Sequence, residues 1–301
     1  MVYTLTLNPA IDYVVQLDTP LVGGRINRSR REAYQFGGKG INVSNVLRVL
    51  GQPTTALGFI AGFTGTALQQ GLQEMGLATD FILLSAGQTR INVKVKADRE
   101  TEINGAGPYI SPEDMKALLR KLDKLTQEDT LVLSGSVPGC LGPDTYGQIL
   151  HHLQGRNIRT VVDAAGMLLM NTLPYKPFLV KPNREELEAI LGYGLTDDRQ
   201  IAEAARYLQA LGAQNVLVSL AGDGALLLDE AGQLHRMACP QGQVHNSVGA
   251  GDSMVAGFLA GFLTTGDYAH GLKLGIAAGS ATAFSLELAT KQEIDTLLGK
   301  M

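Results

Sequence analysis

Short apolar runs recur along the chain and are separated by stretches with the periodicity of amphipathic helices. The runs lack polar alternation, which is typical of strands buried on both faces of a parallel sheet. They occur at Val2–Leu7, Leu131–Ser134, Thr160–Asp163, Phe178–Val180 and Val216–Ser219. Helical patterns occur at Asp114–Leu125, Arg199–Leu211, Leu272–Leu288 and Gln292–Leu298. This alternation predicts an α/β fold with a mostly parallel central sheet and helices on both faces.

One segment, Ile91–Ala97, alternates strictly between apolar and polar residues. Its isoleucine and valines share one face, and Asn92, Lys94 and Lys96 share the other, which predicts a sheet with one solvated face. Three segments could pair with it: Tyr13–Leu17, Glu32–Phe36 and Glu100–Asn104. We expect a single domain over residues 1–301, with lid strands inserted at about 12–36 and 81–105. The alternative is an edge hairpin without a lid function.

Composition narrows the class of protein. The chain has 301 residues, of which 45% are hydrophobic and 18% are charged, as in globular proteins. No apolar run is long enough to span a membrane and no basic leader is present, so we expect a cytoplasmic protein without membrane contact. The net charge of −4 argues against nucleic-acid binding. Cys140 and Cys239 match no metal or redox spacing.

The segment Asn246–Ser253 carries the strongest chemical signal. Gly249, Ala250 and Gly251 predict a tight turn, and the apolar run that follows Asp252 predicts a helix. Such a turn directs backbone N–H groups at one point, where the helix dipole also favours an anion. A carboxylate beside an anion site suits transfer of a phosphoryl group to a hydroxyl. The alternative, an ordinary acid in a first helical turn, does not explain the small residues before it.

A second glycine-rich segment, Gly37–Asn42, precedes another amphipathic helix. Lys39 lies at the predicted helix start, where a cation is disfavoured by roughly 0.3–1 kcal/mol unless an anion is near. The glycines permit a ligand to approach the backbone closely. A sugar or phosphate site and a solvated glycine turn explain this segment equally well. It is not a P-loop, because Gly40 stands where that motif has Ser or Thr.

Other candidate ligands follow predicted strands. Asp12 comes just after the first strand, where open α/β sheets bind ligands, although an Asx turn explains it as well. Arg90 opens the alternating strand at the junction of lid and body, and it is the favoured phosphate ligand among the arginines. The other arginines of this set, Arg25, Arg28, Arg30 and Arg31, are more typical of a solvated lid surface.

Two segments could contact a nucleotide or a metal. In Lys181–Glu186, Asn183 and Glu186 can share one helix face and suit water-mediated Mg²⁺ binding. The same spacing is typical of a capping box, which is the stronger interpretation in isolation. Ser219–Leu228 reads as strand, glycine turn and strand, which could lie against a nucleotide or form a plain hairpin.

These segments, in this order, resemble the ribokinase-like family of carbohydrate kinases, the phosphofructokinase-B type. Gly37–Ser44 is similar to the first family signature and Asn246–Leu259 to the second, and the resemblance covers the whole chain. Ala61 departs from the glycine that a strict form of the first signature has. Within the family, Thr89–Lys94 and Glu102–Pro108 are most similar to the bacterial 1-phosphofructokinase branch.

The resemblance implies roles for individual positions. Asp252 matches the catalytic base, with Gly249, Ala250 and Gly251 as the anion hole. The positions that match sugar-phosphate contacts are Asp12, Gly38, Lys39, Asn42 and Arg90, with Arg28 as a weaker match. Those that match the nucleotide and triphosphate region are Lys181, Asn183, Ser219, Gly222, Gly224, Ala278 and Ser280. The positions that match the Mg²⁺ site are Asn183 and Glu186, the latter binding through water.

The implied reaction is ATP- and Mg²⁺-dependent phosphorylation of D-fructose 1-phosphate at its 6-hydroxyl. A tagatose-6-phosphate kinase is the alternative, since that group shares Asn8-Pro9 and the Gly-Gly-Lys-Gly run. A sugar-phosphate-binding regulator without catalysis would require a damaged Asp252 or anion hole, and both are intact. The expected partners are therefore a sugar phosphate and ATP, with the apolar side of the lid available for pairing in a homodimer.

Overall fold

The computed structural model describes residues 1–301 and contains two sheets. The strands are β1 (Val2–Thr6), β2 (Ala10–Leu17), β3 (Ser29–Gly37), β4 (Thr54–Ala61), β5 (Ile82–Leu84), β6 (Arg90–Lys96), β7 (Glu100–Ile103), β8 (Thr130–Ser134), β9 (Arg159–Asp163), β10 (Leu179–Val180), β11 (Asn215–Ser219), β12 (Ala225–Leu228) and β13 (Leu234–Met237). The helices are α1 (Lys39–Val49), α2 (Gly62–Glu74), α3 (Pro112–Leu122), α4 (Thr145–His152), α5 (Met167–Met170), α6 (Arg184–Leu191), α7 (Asp198–Ala210), α8 (Ala250–Thr265), α9 (Tyr268–Ala283) and α10 (Lys291–Leu298).

The large sheet has nine strands in the order β13-β12-β11-β10-β9-β8-β1-β4-β5. From β5 to β11 every neighbouring pair is parallel, and β12 and β13 add an antiparallel edge. The predicted mostly parallel sheet is confirmed. Because the parallel strands share one direction, the residues that follow β1, β8, β9, β10 and β11 meet at one edge of the sheet.

Successive strand residues point to opposite faces, and each face has its own core. Leu131 and Leu133 of β8 pack in one cluster with α3, α4 and α7, whereas Val132 packs in a second cluster with α1, α8 and α9. A smaller cluster lies under α2. Helices on both faces explain why the strands read as uninterrupted apolar runs. No helix has both the length and the apolarity required to cross a membrane.

The second sheet has four strands in the order β3-β2-β6-β7. It is built from two separate parts of the chain, and we call it the lid sheet. Ile82–Leu84 fall within the range expected for the lid, but they pair with β4 in the large sheet. β2 leaves β1 after only three residues, which joins the lid sheet to the body where the large sheet ends.

The polar face of β6 is not the solvated one. Asn92 and Lys94 are buried, while Ile91 on the opposite face is 40% exposed. The expectation that the polar residues face water is therefore wrong for Asn92 and Lys94, and it holds only for Lys96, which is exposed. On the polar face Lys94 is paired with Asp12 and Glu102 of the neighbouring lid strands. The apolar face carries exposed Tyr34 and Ile103.

Candidate active site

A cleft of about 870 Å³ lies between the carboxyl edge of the large sheet and the lid sheet, and a second cavity of about 360 Å³ adjoins it. Gly38, Lys39 and Arg90 line both cavities. The position of the cleft follows from the topology, because parallel strands present their carboxyl ends and the loops beyond them to one side. The predicted residues that line the large cleft are Asp12, Gly38, Lys39, Asn42, Arg90, Lys181, Asn183, Glu186, Ser219, Gly222, Gly249, Ala250, Gly251, Asp252 and Ser280.

The N-terminus of α8 faces this cleft without a side-chain cap. Gly249 is its N-cap residue and has a left-handed backbone, with φ of 81°. The N–H groups of a first helical turn have no acceptor within the helix, so they remain available to an anion. Ala250 is an exception, because its N–H donates to the carbonyl of Ser247 at 3.2 Å. Of the predicted set, the N–H groups of Gly249 and Gly251 thus have no acceptor, and together with that of Asp252 they form the candidate anion site.

The Asp252 carboxylate lies beside this helix end and is 5% exposed. Asn42, one turn into α1, donates from Nδ2 to Asp252 Oδ2 at 2.8 Å. Burial, followed by the charge of Asp163, raises the pKa of Asp252 from its ordinary 3.8 to about 6, although Lys39, Asn42 and Lys181 act in the opposite direction. The group is therefore a stronger base than an aspartate in water, and it is still charged at neutral pH.

A second buried carboxylate, Asp163, ends β9 directly beneath the cleft. Lys181 Nζ lies 3.2 Å and Lys39 Nζ 3.5 Å from its Oδ1. Burial alone would raise the pKa of Asp163, but the two lysines outweigh it and hold this pKa below its ordinary value. Asp163 therefore supplies the anion that Lys39 needs at the start of α1.

Lys181 also approaches the anion site. An added Cβ on Gly251 would lie 3.3 Å from Lys181 Nζ, so the ammonium group sits against the first turn of α8. Burial by itself lowers the pKa of Lys39. The charges of Asp163, Asp252 and Glu186 together outweigh burial and raise this pKa above its ordinary value. One ammonium group, that of Lys181, thus lies beside the α8 amides, and that of Lys39 shares with it the carboxylate of Asp163.

At the root of the lid sheet, Asp12 and Arg90 line the same cleft as Asp252. Asp12 Oδ2 lies 3.0 Å from Lys94 Nζ, and Oδ1 accepts from Asn92 Nδ2 at 2.7 Å. Arg90 donates from Nε to the carbonyl of Asn8 at 3.1 Å. Burial lowers the pKa of Arg90, and the charge of Asp12 acts against this. This part of the cleft offers both a cation and a fixed carboxylate to a ligand.

Asn183 and Glu186 form a capping box at the start of α6. Asn183 Oδ1 accepts from the N–H of Glu186 at 2.7 Å, and Glu186 Oε2 accepts from the N–H of Asn183 at 2.9 Å. Both residues also line the cleft. The chain has no group of three or more His, Cys, Asp or Glu side chains that could hold a metal. Glu186 has a second oxygen outside the capping box, which fits Mg²⁺ binding through water rather than a cage of protein ligands.

Three predicted residues do not line the cleft. Arg28 is exposed in the loop before β3. Gly224, with φ of 95°, closes the turn between β11 and β12, and a Cβ there would lie 2.2 Å from the carbonyl oxygen of Met237. Ala278 is fully buried between α9 and α8. Gly224 and Ala278 are thus explained by backbone geometry and packing, respectively.

Sequence reasoning misses several residues that line the cleft or support it. It gives Asp163 only as the last residue of a buried strand, although a carboxylate at such a position is a recognisable signal. It places Asn92, which lines the cleft, and Lys94, which lies behind it, on a solvated face. Ser136 and Asn8 line the smaller cavity, and the position of Ser136 just after β8 could have indicated this.

The chain resembles known proteins over its whole length. The pfkB family carbohydrate kinase model matches residues 1–294. The 1-phosphofructokinase of Bacillus subtilis is 45% identical over 99% of this chain and 97% of its own length. The D-tagatose-1-phosphate kinase of Bacillus licheniformis is 35% identical over 98% of this chain and 96% of its own length.

Solved structures give the same result. Phosphofructokinase-2 of Escherichia coli in complex with fructose-6-phosphate superposes with a TM-score of 0.91 at 27% identity, covering 99% of this chain and 98% of that chain. The ribokinase of Arabidopsis thaliana, with a TM-score of 0.82 at 19% identity over 99% and 98% of the two chains, confirms the ribokinase-like fold. The chain therefore belongs to the pfkB family of carbohydrate kinases, and it is a sugar-phosphate kinase.

Proposed function

We propose that this kinase transfers the γ-phosphoryl group of ATP to the 6-hydroxyl of D-fructose 1-phosphate, giving fructose 1,6-bisphosphate and ADP. One observation carries the proposal: a buried carboxylate, Asp252, lies beside an uncapped helix N-terminus in a cleft that also contains cationic groups. The identity of the acceptor is supported by the 45% identical relative named 1-phosphofructokinase.

The acceptor occupies the lid side of the cleft in this proposal. Its 1-phosphate lies against Lys39 and Arg90, both of which line the smaller cavity as well. Asp12 accepts hydrogen bonds from sugar hydroxyls, and Gly38 and Asn42 form the wall beside it. With the phosphate held at one end, the 6-hydroxyl extends toward Asp252. Arg28 has no part in this proposal, because it is exposed outside the cleft.

The transfer step uses Asp252 as the proton acceptor. The 6-hydroxyl oxygen forms a bond to the γ-phosphorus as the bond from that phosphorus to the bridging oxygen of ADP breaks. The hydroxyl proton passes to Asp252, and ADP leaves with the electron pair of the broken bond. The N–H groups of Gly251 and Asp252, together with Lys181, stabilise the charge on the transferring group. Asn42 fixes the carboxylate orientation through its bond to Oδ2.

The nucleotide occupies the other side of the cleft. Ser219 and Gly222 form the wall along the phosphates, and Ser280 lies in the part of the cleft lined by α9. Mg²⁺ supplies charge neutralisation on the triphosphate when bound. Asn183 and Glu186 lie where they can hold its coordinated water, while their capping box keeps both side chains in place.

The alternative acceptor, tagatose 6-phosphate, carries its phosphate at the opposite end of the sugar. The relative named D-tagatose-1-phosphate kinase, like the relatives named 1-phosphofructokinase, has a 1-phosphate sugar in its name. This agreement favours an acceptor that carries its phosphate on C1, and fructose 1-phosphate among such acceptors.

An acceptor panel tests the proposal. The purified protein is assayed for ADP release with ATP and fructose 1-phosphate, tagatose 1-phosphate, fructose 6-phosphate or tagatose 6-phosphate. We expect the highest kcat/KM with fructose 1-phosphate. A higher kcat/KM with either 6-phosphate would reject the assignment of the phosphate end, and a higher value with tagatose 1-phosphate would reject the assignment of the sugar.

We also propose that the enzyme is a cytoplasmic homodimer that pairs through the lid sheet. The location follows from the proposed substrates, since ATP and phosphorylated sugars are found inside the cell. The dimer is supported by the apolar face of the lid sheet, where Tyr13 stacks on Tyr34 with 4.9 Å between ring centroids. Ile91 and Ile103 on the same face are exposed in the single chain.

A further inference from the structure

The carboxylate of Asp12 is held by two buried side chains. Asn92 Nδ2 donates to Oδ1 at 2.7 Å, and Lys94 Nζ lies 3.0 Å from Oδ2. Asn92 is 6% exposed and Lys94 is 7% exposed. Each carboxylate oxygen has a further acceptor direction, so Asp12 can still receive hydrogen bonds from a ligand in the cleft. Its rotation, however, is fixed by these two contacts.

Asn92 links Asp12 to Arg90. While its Nδ2 donates to Asp12, its Oδ1 accepts from the N–H of Gly105 at 3.2 Å and from Arg90 Nη1 at 3.5 Å. The orientation of the amide follows from these partners, because an N–H donor faces the carboxylate and an oxygen faces the two N–H groups. One side chain therefore sets the relative positions of the two lid residues that contact the acceptor in the proposed function.

Lys94 acts from the side away from the ligand. It does not line either cavity, and its ammonium group bridges Asp12 to Glu102 Oε1 of β7 at 3.7 Å. A buried ammonium group without partners would be costly, and this pair of carboxylates explains its presence. Through Lys94 the outer strand of the lid sheet is connected electrostatically to Asp12 on the central strand β2.

We propose that Asn92 and Lys94 are positioning residues that determine binding of the phosphorylated sugar by fixing Asp12 in register with Arg90. This inference rests on the proposed function and deepens it. The fixed carboxylate accepts from hydroxyl groups at a set distance from the phosphate that Arg90 holds. The pair therefore selects polyhydroxylated phosphate esters over phosphate esters without those hydroxyls.

Substitution of Lys94 provides the test. Lys94→Met keeps the length of the side chain and removes its charge, and Asn92→Ser shortens the amide so that it no longer spans Asp12 and Arg90. We expect the KM for the sugar phosphate to rise by about 10- to 100-fold in each variant, because the acceptor is misplaced. The KM for ATP should change by less than about twofold, since the nucleotide wall is on the other side of the cleft.

Lys96→Met is the matched control. Lys96 lies on the same strand and face two residues further on, but it is exposed. Its removal should leave both KM values unchanged. Thermal unfolding of all variants, and the dissociation constant of the sugar phosphate measured by calorimetry without ATP, provide readouts that do not depend on turnover. If Lys94→Met does not fold, Lys94→Gln and Asn92→Ser are measured in its place.

A double-mutant cycle separates positioning from a general structural effect. In an Asp12→Ala background, Lys94→Met should raise the KM for the sugar phosphate by less than about twofold more, because there is no carboxylate left to position. An equal further loss in that background would overturn the proposal, as would an unchanged sugar-phosphate KM in the single variants.

The acceptor panel described above is run first on the unmodified protein, so that the two proposals fail separately. If the protein phosphorylates a different sugar phosphate, the proposed function is wrong and the cycle is measured with that acceptor. If fructose 1-phosphate is the acceptor and the cycle is additive, only the positioning role is wrong.

Discussion

At the scale of single residues, Asp252 is the group on which the proposed chemistry depends. Substitution to Asn keeps the shape of the side chain and removes the proton acceptor. We expect Asp252→Asn to lower kcat by about 10²- to 10⁴-fold. Burial raises the pKa of Asp252 above its value in the unfolded chain, so the charged carboxylate destabilises the folded state above pH 6. The neutral amide of the variant should therefore not lower the melting temperature at pH 8. Near-normal turnover of this variant would reject the assignment.

The raised pKa of Asp252 also predicts a pH dependence. The carboxylate must be charged to accept a proton, and its pKa in the protein without substrates is about 6, so kcat/KM should fall as the pH decreases through 6. The stability contribution of this group has the opposite sign, since protonation between pH 6 and 4 favours the folded state. Steady-state rates from pH 5 to 8 measure the first effect. An acid limb centred near pH 4 would show that burial does not perturb this carboxylate.

Lys39 should act mainly on binding of the acceptor. Lys39→Ala removes an ammonium group from the smaller cavity, and we expect a higher KM for the sugar phosphate with a smaller change in kcat. Part of the rise in KM will come from the Asp163 carboxylate, because in this variant only Lys181 remains to balance its charge. Lys116→Ala, an exposed lysine of α3, is the control. An unchanged KM would exclude Lys39 as a ligand of the acceptor.

At the scale of elements, the left-handed cap of α8 should matter more for activity than for stability. Gly249→Ala introduces a Cβ at φ of 81° and 2.6 Å from Leu288 Cδ2. The backbone conformation alone costs about 1–2 kcal/mol for a residue with a side chain. The first turn of α8 must then shift, which moves the amides and lowers kcat.

Gly266→Ala is the matched control for this prediction. Gly266 is the C-cap residue of the same helix, has φ of 71°, and has no neighbouring atom within 4 Å of an added Cβ. Chemical denaturation should show a similar backbone cost of about 1–2 kcal/mol, while kcat is retained. Equal kcat values for the two variants would show that the geometry of this cap is not important for transfer.

The sequence predicts strands and helices of the body well because each strand is covered on both faces and therefore reads as a plain apolar run. It predicts the lid sheet less well. The alternation in β6 shows which residues share a face of the strand, but not which face is covered. Ion pairs such as Lys94–Asp12 allow polar residues to be buried. Asp252 and Lys39 can be found because the residues that reveal them are their neighbours in the sequence. Asp163 has no such neighbours and is therefore missed. Asp163 acquires its partners only when β9 is brought beside α1 and β10.

At the scale of the whole molecule, the exposed apolar face of the lid sheet predicts a dimer. Ile103→Lys places a charge on that face, and we expect sedimentation to show dimers for the unmodified protein and monomers for this variant. Leu83→Lys is the control, because Leu83 has nearly the same exposure, 65% against 64%, but lies on the edge of the other sheet. A monomeric unmodified protein at micromolar concentration would contradict the prediction.

The contact between α8 and α9 has a consequence for the rigidity of the cleft. At Gly257 an added Cβ would lie 2.5 Å from the carbonyl oxygen of Leu274, so the two backbones touch and cannot slide independently. Asp252 belongs to one helix of this pair and Ser280 to the other, and both face the cleft. The two helices thus hold Asp252 and Ser280 as one rigid pair. A ligand that contacts both residues meets two points whose separation the backbone sets, rather than two side walls that move independently.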